Sequence, residues 1–340
     1  MIERNSTIDL LRFIASSAVV LFHLNEPFTH VDNAYRNFTK LGWLGVPIFF
    51  VISGYCIGLA AQYSKGILDF LTRRFFRIFP GYWFSLLVVL GVVGFHYFLF
   101  GHNSATVLPN GPREFAATIC LLTHPATDIK TINWVYWSLT VEVFFYLAIG
   151  LTLLAPKKSR LICVVFISIL PFIPKIETVP GLFFLSDWSS FGLGFALYHL
   201  GLQESNKSQA GFCFVINAAA LLYRHGFDIY TITTFITFCL IWLSIAWRDL
   251  AVNRLTRLGD YAYGVYLLHV PLGVYLFGFI KFPVFQVNPF YNILFDAVVA
   301  VIVLLTARFM YCFIEKPAIV FGKKMSKRIN LSLRLKPVQV

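Results

Sequence analysis

An all-α, polytopic membrane bundle of about ten transmembrane helices with both termini cytoplasmic is the fold class that three observations predict. Of the 340 residues, 58% are hydrophobic and only 13% charged, with 37 phenylalanines, well above the roughly 45–50% apolar content of soluble domains. Apolar runs of about 20 residues, the length that crosses ~30 Å of hydrocarbon, recur along the chain. The basic residues gather in short clusters between those runs, so the net charge of +12 reads as membrane orientation rather than as a nucleic-acid surface.

Taken in order, the runs predict spans over residues 8–25, 42–62, 79–100, 133–155, 161–174, 182–201, 211–224, 229–247, 260–280 and 290–314. The first opens with Ser6 and Asp9 as an S-x-x-D start signal. It carries Arg12 and His23 and no small-residue cleavage site follows, so it reads as a retained span, not a removable signal. With the N-terminus inside, one side collects Arg4, Lys65, Arg73, Arg74, Arg77, Lys157, Lys158, Arg160, Lys207, Arg248, Arg254, Arg257 and the basic tail from Lys316 to Lys336. The opposite side holds the smaller set Arg36, Lys40, Arg113, Lys130, Lys175, Arg224 and Lys281. Lysine and arginine accumulate on the cytoplasmic side, which places both termini there.

Between the third and fourth spans, Gly101 to Ile132 forms the longest external segment. Its Pro109, Asn110, Gly111 and Pro112 signal turns, and REFAATICLLTH after them reads as a short interfacial helix, a lid over an outward opening. The chain otherwise reads as one membrane domain, residues 1–315, with a basic cytoplasmic tail, 316–340, that lies against anionic headgroups. Cysteines 56, 120, 163, 213, 239 and 312 form no C-x-x-C pair and read as free, buried thiols without a metal.

Ionisable groups inside apolar spans carry the chemistry. Arg12 and His23 are eleven residues apart, close to three helical turns, and so share one face separated by ~16 Å along the axis. Pairing with Asp9 and snorkelling accounts for part of Arg12. His23, an intramembrane titratable group, faces a bundle interior or water-filled cavity, or serves as a hydrogen-bonded packing histidine near the outer interface. Ser138, Glu142 and Tyr146 recur every fourth residue and lie on one face. Glu142 needs a partner at that depth, with Arg12 or His23 as candidates and a structural salt bridge as the alternative. Arg73, Arg74 and Arg77 sit in a loop with Phe75, Phe76, Phe79, Tyr82 and Trp83 interleaved, a set that suits phosphates and a purine or simply satisfies topology. Trp137 reads as packing or a sugar platform, and His269 beside Tyr266 and Pro271 as a structural or secondary binding group, with a second base as the alternative. Ser53 and Gly54 offer close backbone approach or tight helix packing. Asp187 reads as a cap for the sixth span.

Six motifs stand in one order: R-x10-H over Arg12 and His23, FFVISGYCI from Phe49, RRFFRIFPGYW from Arg73, YWSLTVEVFFY from Tyr136, LGDYAYGVYLLHVP from Leu258 and FIEKP from Phe313. In this order and over nearly the whole chain, the sequence resembles the acyltransferase-3 family of integral membrane O-acyltransferases. The resemblance implies transfer of an acyl group, usually acetyl, from cytoplasmic acyl-CoA to a hydroxyl of a surface polysaccharide, such as lipopolysaccharide, or of a lipid-linked glycan. It implies catalytic roles for His23, Arg12 and Glu142, donor binding by Arg73, Arg74, Arg77 and Tyr82, and acceptor binding by Ser138, Trp137, Tyr146 and His269. Membrane lipids and the glycan are the expected partners, with neither a nucleic acid nor a metal. A proton-coupled transporter using the same ionisable residues as a relay is the alternative. The arginine cluster beside aromatics and the absence of duplicated halves argue against it.

Overall fold

The structure is a computed structural model that describes residues 5–27, 32–103, 106–202 and 206–335; Arg4 and Lys336 of the orientation argument lie outside the described residues. Among those described, every regular element is helical. In chain order they are α1 (Ser6–Asn25), α2 (Ala34–Thr39), α3 (Gly45–Gln62), α4 (Ile67–Phe100), α5 (Pro112–Ile119), α6 (Tyr136–Thr152), α7 (Arg160–Ile169) and α8 (Trp188–Gly201). There follow α9 (Lys207–His225), α10 (Ile229–Ala246), α11 (Arg254–Arg257), α12 (Ala262–Leu268), α13 (Pro283–Val287), α14 (Pro289–Met310) and α15 (Lys316–Leu335). Two π-helical segments, His269–Leu276 and Tyr311–Glu315, continue α12 and α14.

Among the described residues, five helical stretches are long and apolar enough to cross a membrane: Ser6–Asn25, Ala34–Gln62, Ile67–Phe100, Ile229–Ala246 and Pro289–Leu331. The other expected spans coincide with shorter or interrupted helices, such as the 17 residues of α6 and the 14 of α8, or, for 211–224, with the less apolar 19 residues of α9. Large apolar side chains stay uncovered along the long helices, among them Leu87 and Phe98 of α4 and Leu305 and Phe309 of α14, as a lipid-facing surface requires and a water-facing one does not. The same reasoning corrects the cysteine expectation. All six are free thiols, but of them only Cys213 is buried, while Cys120, Cys239 and Cys312 are exposed, the last two on long helices that turn apolar side chains outward.

The arginine cluster is helical rather than a loop. α4 begins at Ile67, runs through Arg73, Arg74 and Arg77, and keeps Pro80 inside it. At 1.5 Å per residue its 34 residues extend ~51 Å, beyond the ~30 Å that hydrocarbon needs. Asp69 and Arg73, one turn apart, pair at 2.7 Å and support that extension. The short helix expected after Pro112 is present as α5, with Pro112 in its first turn.

Two compact units account for the chain. The first comprises Met1–Ile48, Gly81–Thr140 and Asp249–Ile314; the second comprises Phe49–Pro80, Val141–Arg248 and Glu315–Val340. In the first unit the start signal of α1 works differently from the expectation. Asn5 is the N-cap and accepts from Ile8 N–H at 2.9 Å, while Asp249 accepts from the backbone N–H groups of Ser6 at 2.6 Å and Thr7 at 2.9 Å. A residue 243 positions away supplies what local spacing had assigned to Ser6. Arg12 pairs with Asp9 at 3.3 Å, as expected.

In the second unit α3 and α8 cross with backbones in contact. A Cβ on Gly54 would lie 1.9 Å from the Phe191 carbonyl oxygen, and one on Gly194 1.9 Å from that of Val51. Gly54 thus serves helix packing, the mode small residues allow where lipid supplies no hydrophobic drive. Phe145 stacks on Phe191 at 4.3 Å beside Trp188. Ser168 of α7 accepts from Trp188 Nε1 at 2.9 Å and Asn217 Nδ2 at 3.0 Å, joining α7, α8 and α9. Asp187 precedes α8 but makes no capping bond; it accepts instead from Ser186 Oγ at 2.8 Å and Tyr230 Oη at 3.4 Å.

Gly54→Ala should lower the melting temperature of the detergent-purified protein by an amount equivalent to at least the ~1–3 kcal/mol of an overpacked core, and an unchanged melting curve would refute the backbone contact. Burial raises the pKa of Asp249, but its bonds from Ser6 and Thr7 outweigh this and hold it below the ordinary carboxylate value. Its cap therefore contributes stability above the unfolded pKa and loses it as pH falls through the folded one. Asp249→Ala should cost about 1–2 kcal/mol at neutral pH, and the difference in melting temperature from wild type should close below about pH 4.

Candidate functional site

The first unit gathers two histidines and a tryptophan around the end of α1. His23, in the last turn, brings Nδ1 to 3.2 Å from Glu26 Oε2, one turn on in sequence. Trp134 Nε1 lies 3.5 Å from the same Nδ1. One nitrogen cannot donate to the carboxylate and accept from the indole, and the shorter, charge-assisted contact decides. Geometry therefore assigns the proton to Nδ1, facing Glu26, and leaves Nε2 with its lone pair. Glu26 is held below the usual carboxylate range, first by that bond, so it is the ionised partner this assignment needs.

His269 stands across from it, with ring centroids 5.3 Å apart and planes tilted by 30°. It opens the π-helical segment that carries Pro271, and its Nδ1 donates to the Tyr266 carbonyl at 2.6 Å. Its Nε2 is buried with no hydrogen-bond partner. A buried acceptor left unsatisfied is costly, and π-helical segments concentrate at functional sites. Tyr266 Oη donates to the Val135 carbonyl at 2.9 Å and accepts from Ser138 Oγ at 2.5 Å. Ser138 thus holds the hydroxyl of Tyr266, whose ring lies 5.7 Å from that of His269. The site presents two imidazole Nε2 lone pairs, one on a histidine aligned by a carboxylate, the arrangement of a general base and a second acceptor.

A buried ionic network fixes the turn that carries His23. Lys281 Nζ donates to Asp296 Oδ1 at 2.8 Å, to the Leu24 carbonyl at 3.0 Å and to Asn25 Oδ1 at 3.3 Å. Asn25 Nδ2 at 2.6 Å and Tyr35 Oη at 2.8 Å donate to Asp296 Oδ2, and Asn292 Nδ2 donates to Asn25 at 2.9 Å. Lys281 and Asp296 are 1% and 0% exposed, a burial tolerable only with every bond made. The cation also meets the carbonyl end of α1, where positive charge is favoured.

Arg12 and His23 occupy one continuous helix, a rise of ~16 Å apart. Tyr82 also belongs to this unit. Its ring packs against Tyr136 and its hydroxyl donates to the Thr118 carbonyl at 2.5 Å, which ties α4 to α5. Trp137 is half-buried on α6.

The second unit holds the remaining expected residues. Glu142 accepts from Ser53 Oγ at 2.6 Å and from Tyr146 Oη, the satisfaction its depth demands. Arg74 lies over the Tyr146 ring at 5.8 Å, and its Nε is buried without a hydrogen-bond partner. The three arginines differ. Arg73 is committed to Asp69, with Ser326 Oγ at 3.2 Å from its Nε, and Arg77 stands 3.9 Å from Glu315. No group of three or more potential metal ligands occurs among the described residues.

Glu26, Trp134 and the Lys281, Asp296 and Asn25 network escaped the sequence reading. H-x-x-E was the one available signal, since i, i+3 pairs meet on a helix; no local spacing marks Trp134 or Asp296.

A family model described as an acyltransferase domain, acyltransferase-3, matches residues 5–309. The chain is 27% identical over 294 residues to an O-acetyl transferase of Shigella phage Sf6, covering 79% of this chain and 85% of that one. It is 27% identical over 196 residues to the acyltransferase MdmB of Streptomyces mycarofaciens, covering 51% and 48% of the two. A shorter match, 37% identical over 90 residues, covers 25% of this chain and 13% of the peptidoglycan O-acetyltransferase OatA of Listeria monocytogenes. No solved structure matches. A match spanning both histidines and most of the helices settles the assignment: this protein belongs to the acyltransferase-3 family and is a membrane acyltransferase that transfers an acyl group to a hydroxyl.

Proposed function

We propose that the protein transfers an acyl group, acetyl in the first instance, from cytoplasmic acyl-CoA to a hydroxyl of a surface polysaccharide or lipid-linked glycan. The observation that carries this reading is His23, aligned through Nδ1 by Glu26 and left with a basic Nε2 beside His269. The names of the phage and Listeria relatives supply the acetyl group and the glycan acceptor. The apolar runs support about ten spans, the distribution of lysine and arginine supports cytoplasmic termini, and the names of the bacterial relatives support residence in the bacterial inner membrane.

In this reading His23 Nε2 takes the proton of the acceptor hydroxyl as its oxygen attacks the thioester carbonyl. The new C–O bond forms, the C–S bond breaks, and the proton on His23 returns to the departing thiolate. Glu26 stabilises the imidazolium between those events, and His269 Nε2 accepts a hydrogen bond from the bound hydroxyl compound. Arg74, whose Nε has no hydrogen-bond partner, is the first candidate for a CoA phosphate. Arg73 and Arg77 shape that face of α4 through Asp69 and Glu315. Arg12 acts with His23 within the first unit, Glu142 and Tyr146 act within the second, and Ser138 and Trp137 contact the acceptor.

His23→Ala should reduce acetyl transfer, read as free CoA released per acetylated glycan by mass spectrometry, by about 10²–10⁴-fold. Glu26→Gln should reduce it less, with kcat rather than the donor KM falling. Full activity in an inserted His23→Ala protein would overturn the catalytic assignment, and substrate movement without CoA release would favour the transporter. Arg74→Ala should raise the acyl-CoA KM by about tenfold or more, the loss of one charge-assisted bond worth ~1.5–3 kcal/mol. An unchanged donor dependence would remove Arg74 from the donor site.

A further inference from the structure

The second unit contains a cleft of about 480 Å³ that the site described above does not use. It lies where α3, α6 and α8 end and α7 and α9 begin, and its lining includes Lys157, Lys158, Arg160, His199, Gln62 and Gln209. Three of these are cations, and no carboxylate lines the cleft among the described residues. We propose that this cleft is a phosphate-binding site, taking a phosphomonoester or phosphodiester group from the membrane face on which Lys157 and Lys158 lie.

A cluster of basic residues at helix ends has an ordinary explanation, since carbonyls at C-termini attract cations. Here other atoms meet that need. Arg160 donates to the Leu153 carbonyl at 3.3 Å and the Ala155 carbonyl at 3.2 Å at the end of α6, and Lys207 Nζ donates to those of Leu200 at 2.6 Å and Leu202 at 2.7 Å at the end of α8. Lys157 and Lys158 make no hydrogen bond or ion pair among the described residues. They lie on the short turn immediately before α7, a ten-residue helix whose N-cap, Ser159, makes no side-chain bond to the first turn. That turn is itself helical and commits the Ser159 N–H to the Pro156 carbonyl at 2.9 Å, so the helix start contributes positive potential rather than free donors. Two uncommitted ammonium groups beside it supply point charges suited to a phosphate. Retention of positive charge on the cytoplasmic side explains why lysines are present, but it requires neither a cleft nor a helix start opening beside them.

Two sources offer this chemistry: the phosphates of CoA and the phosphodiester of an anionic phospholipid. The volume accommodates a phosphorylated headgroup or a phosphoadenosine, within the ~300–1,000 Å³ of small-ligand sites. The proposal concerns binding alone, so it stands or falls independently of the transfer chemistry.

The test uses the full-length protein in nanodiscs and the double variant Lys157→Gln/Lys158→Gln, with Lys157→Arg/Lys158→Arg as the charge-conserving comparison and Arg113→Gln as a remote loss of charge. In phosphatidylcholine nanodiscs, calorimetry measures binding of CoA and of 3′-dephospho-CoA. In mixed nanodiscs, native mass spectrometry counts retained phosphatidylglycerol. A loss of about tenfold or more in CoA affinity, restored in the arginine variant, supports the site with the donor as its source. A matching loss of phosphatidylglycerol retention, with CoA binding intact, supports it with the lipid as its source. If the glutamine variant elutes as a folded protein and neither measurement differs from wild type or Arg113→Gln, the proposal is overturned.

Discussion

Charge is expensive in an apolar interior, and the chemistry of this chain depends on how each ionisable side chain is partnered. An isolated ion at such a depth costs several kcal/mol or changes its protonation state. Lys281 and Asp296 meet that constraint by mutual pairing and by spending their remaining capacity on Asn25, Tyr35 and the Leu24 carbonyl. Their reward is positional. The last turn of α1, and with it His23, is tied to α14 and to the segment that follows His269.

The two histidines show the same constraint leaving function behind. Both commit Nδ1, one to the Glu26 carboxylate and the other to the Tyr266 carbonyl. Committing one ring nitrogen to an acceptor fixes the tautomer, so the opposite nitrogen keeps its lone pair. A π-helical segment places the second histidine where a regular helix would have spent its geometry on packing. In the other unit Glu142 is quietened by Ser53 and Tyr146, while Arg74 keeps a buried Nε without a hydrogen-bond partner. Groups left incompletely satisfied in otherwise well-paired surroundings are where a substrate is expected to contribute the missing bonds.

Much of this was legible in one dimension. The apolar runs located the helices, because length and hydropathy are local properties, and the three-residue step from Asp9 to Arg12 gave the observed pair. Local spacing failed where partners come from afar. Ser6 looked like the cap of α1, yet Asp249 and Asn5 perform that task; Asp187 looked like a cap and bonds to Ser186 and Tyr230 instead. The arginines near residue 75 looked like a loop because charge marks the membrane boundary, but a helix can continue past that boundary into water, as α4 does.

The sequence by itself determined the helical class, the membrane-like composition, the common face of Arg12 and His23 and the order of motifs that identifies the family, all set by residue type and short-range periodicity. Tertiary structure alone decided which nitrogen of His23 and of His269 is committed, which arginine of the α4 cluster keeps an unbonded Nε, and that Trp134, Lys281 and Asp296 surround the end of α1. Those outcomes depend on atoms up to 271 positions apart meeting within 3 Å, and no local pattern encodes a contact whose partner is chosen by packing.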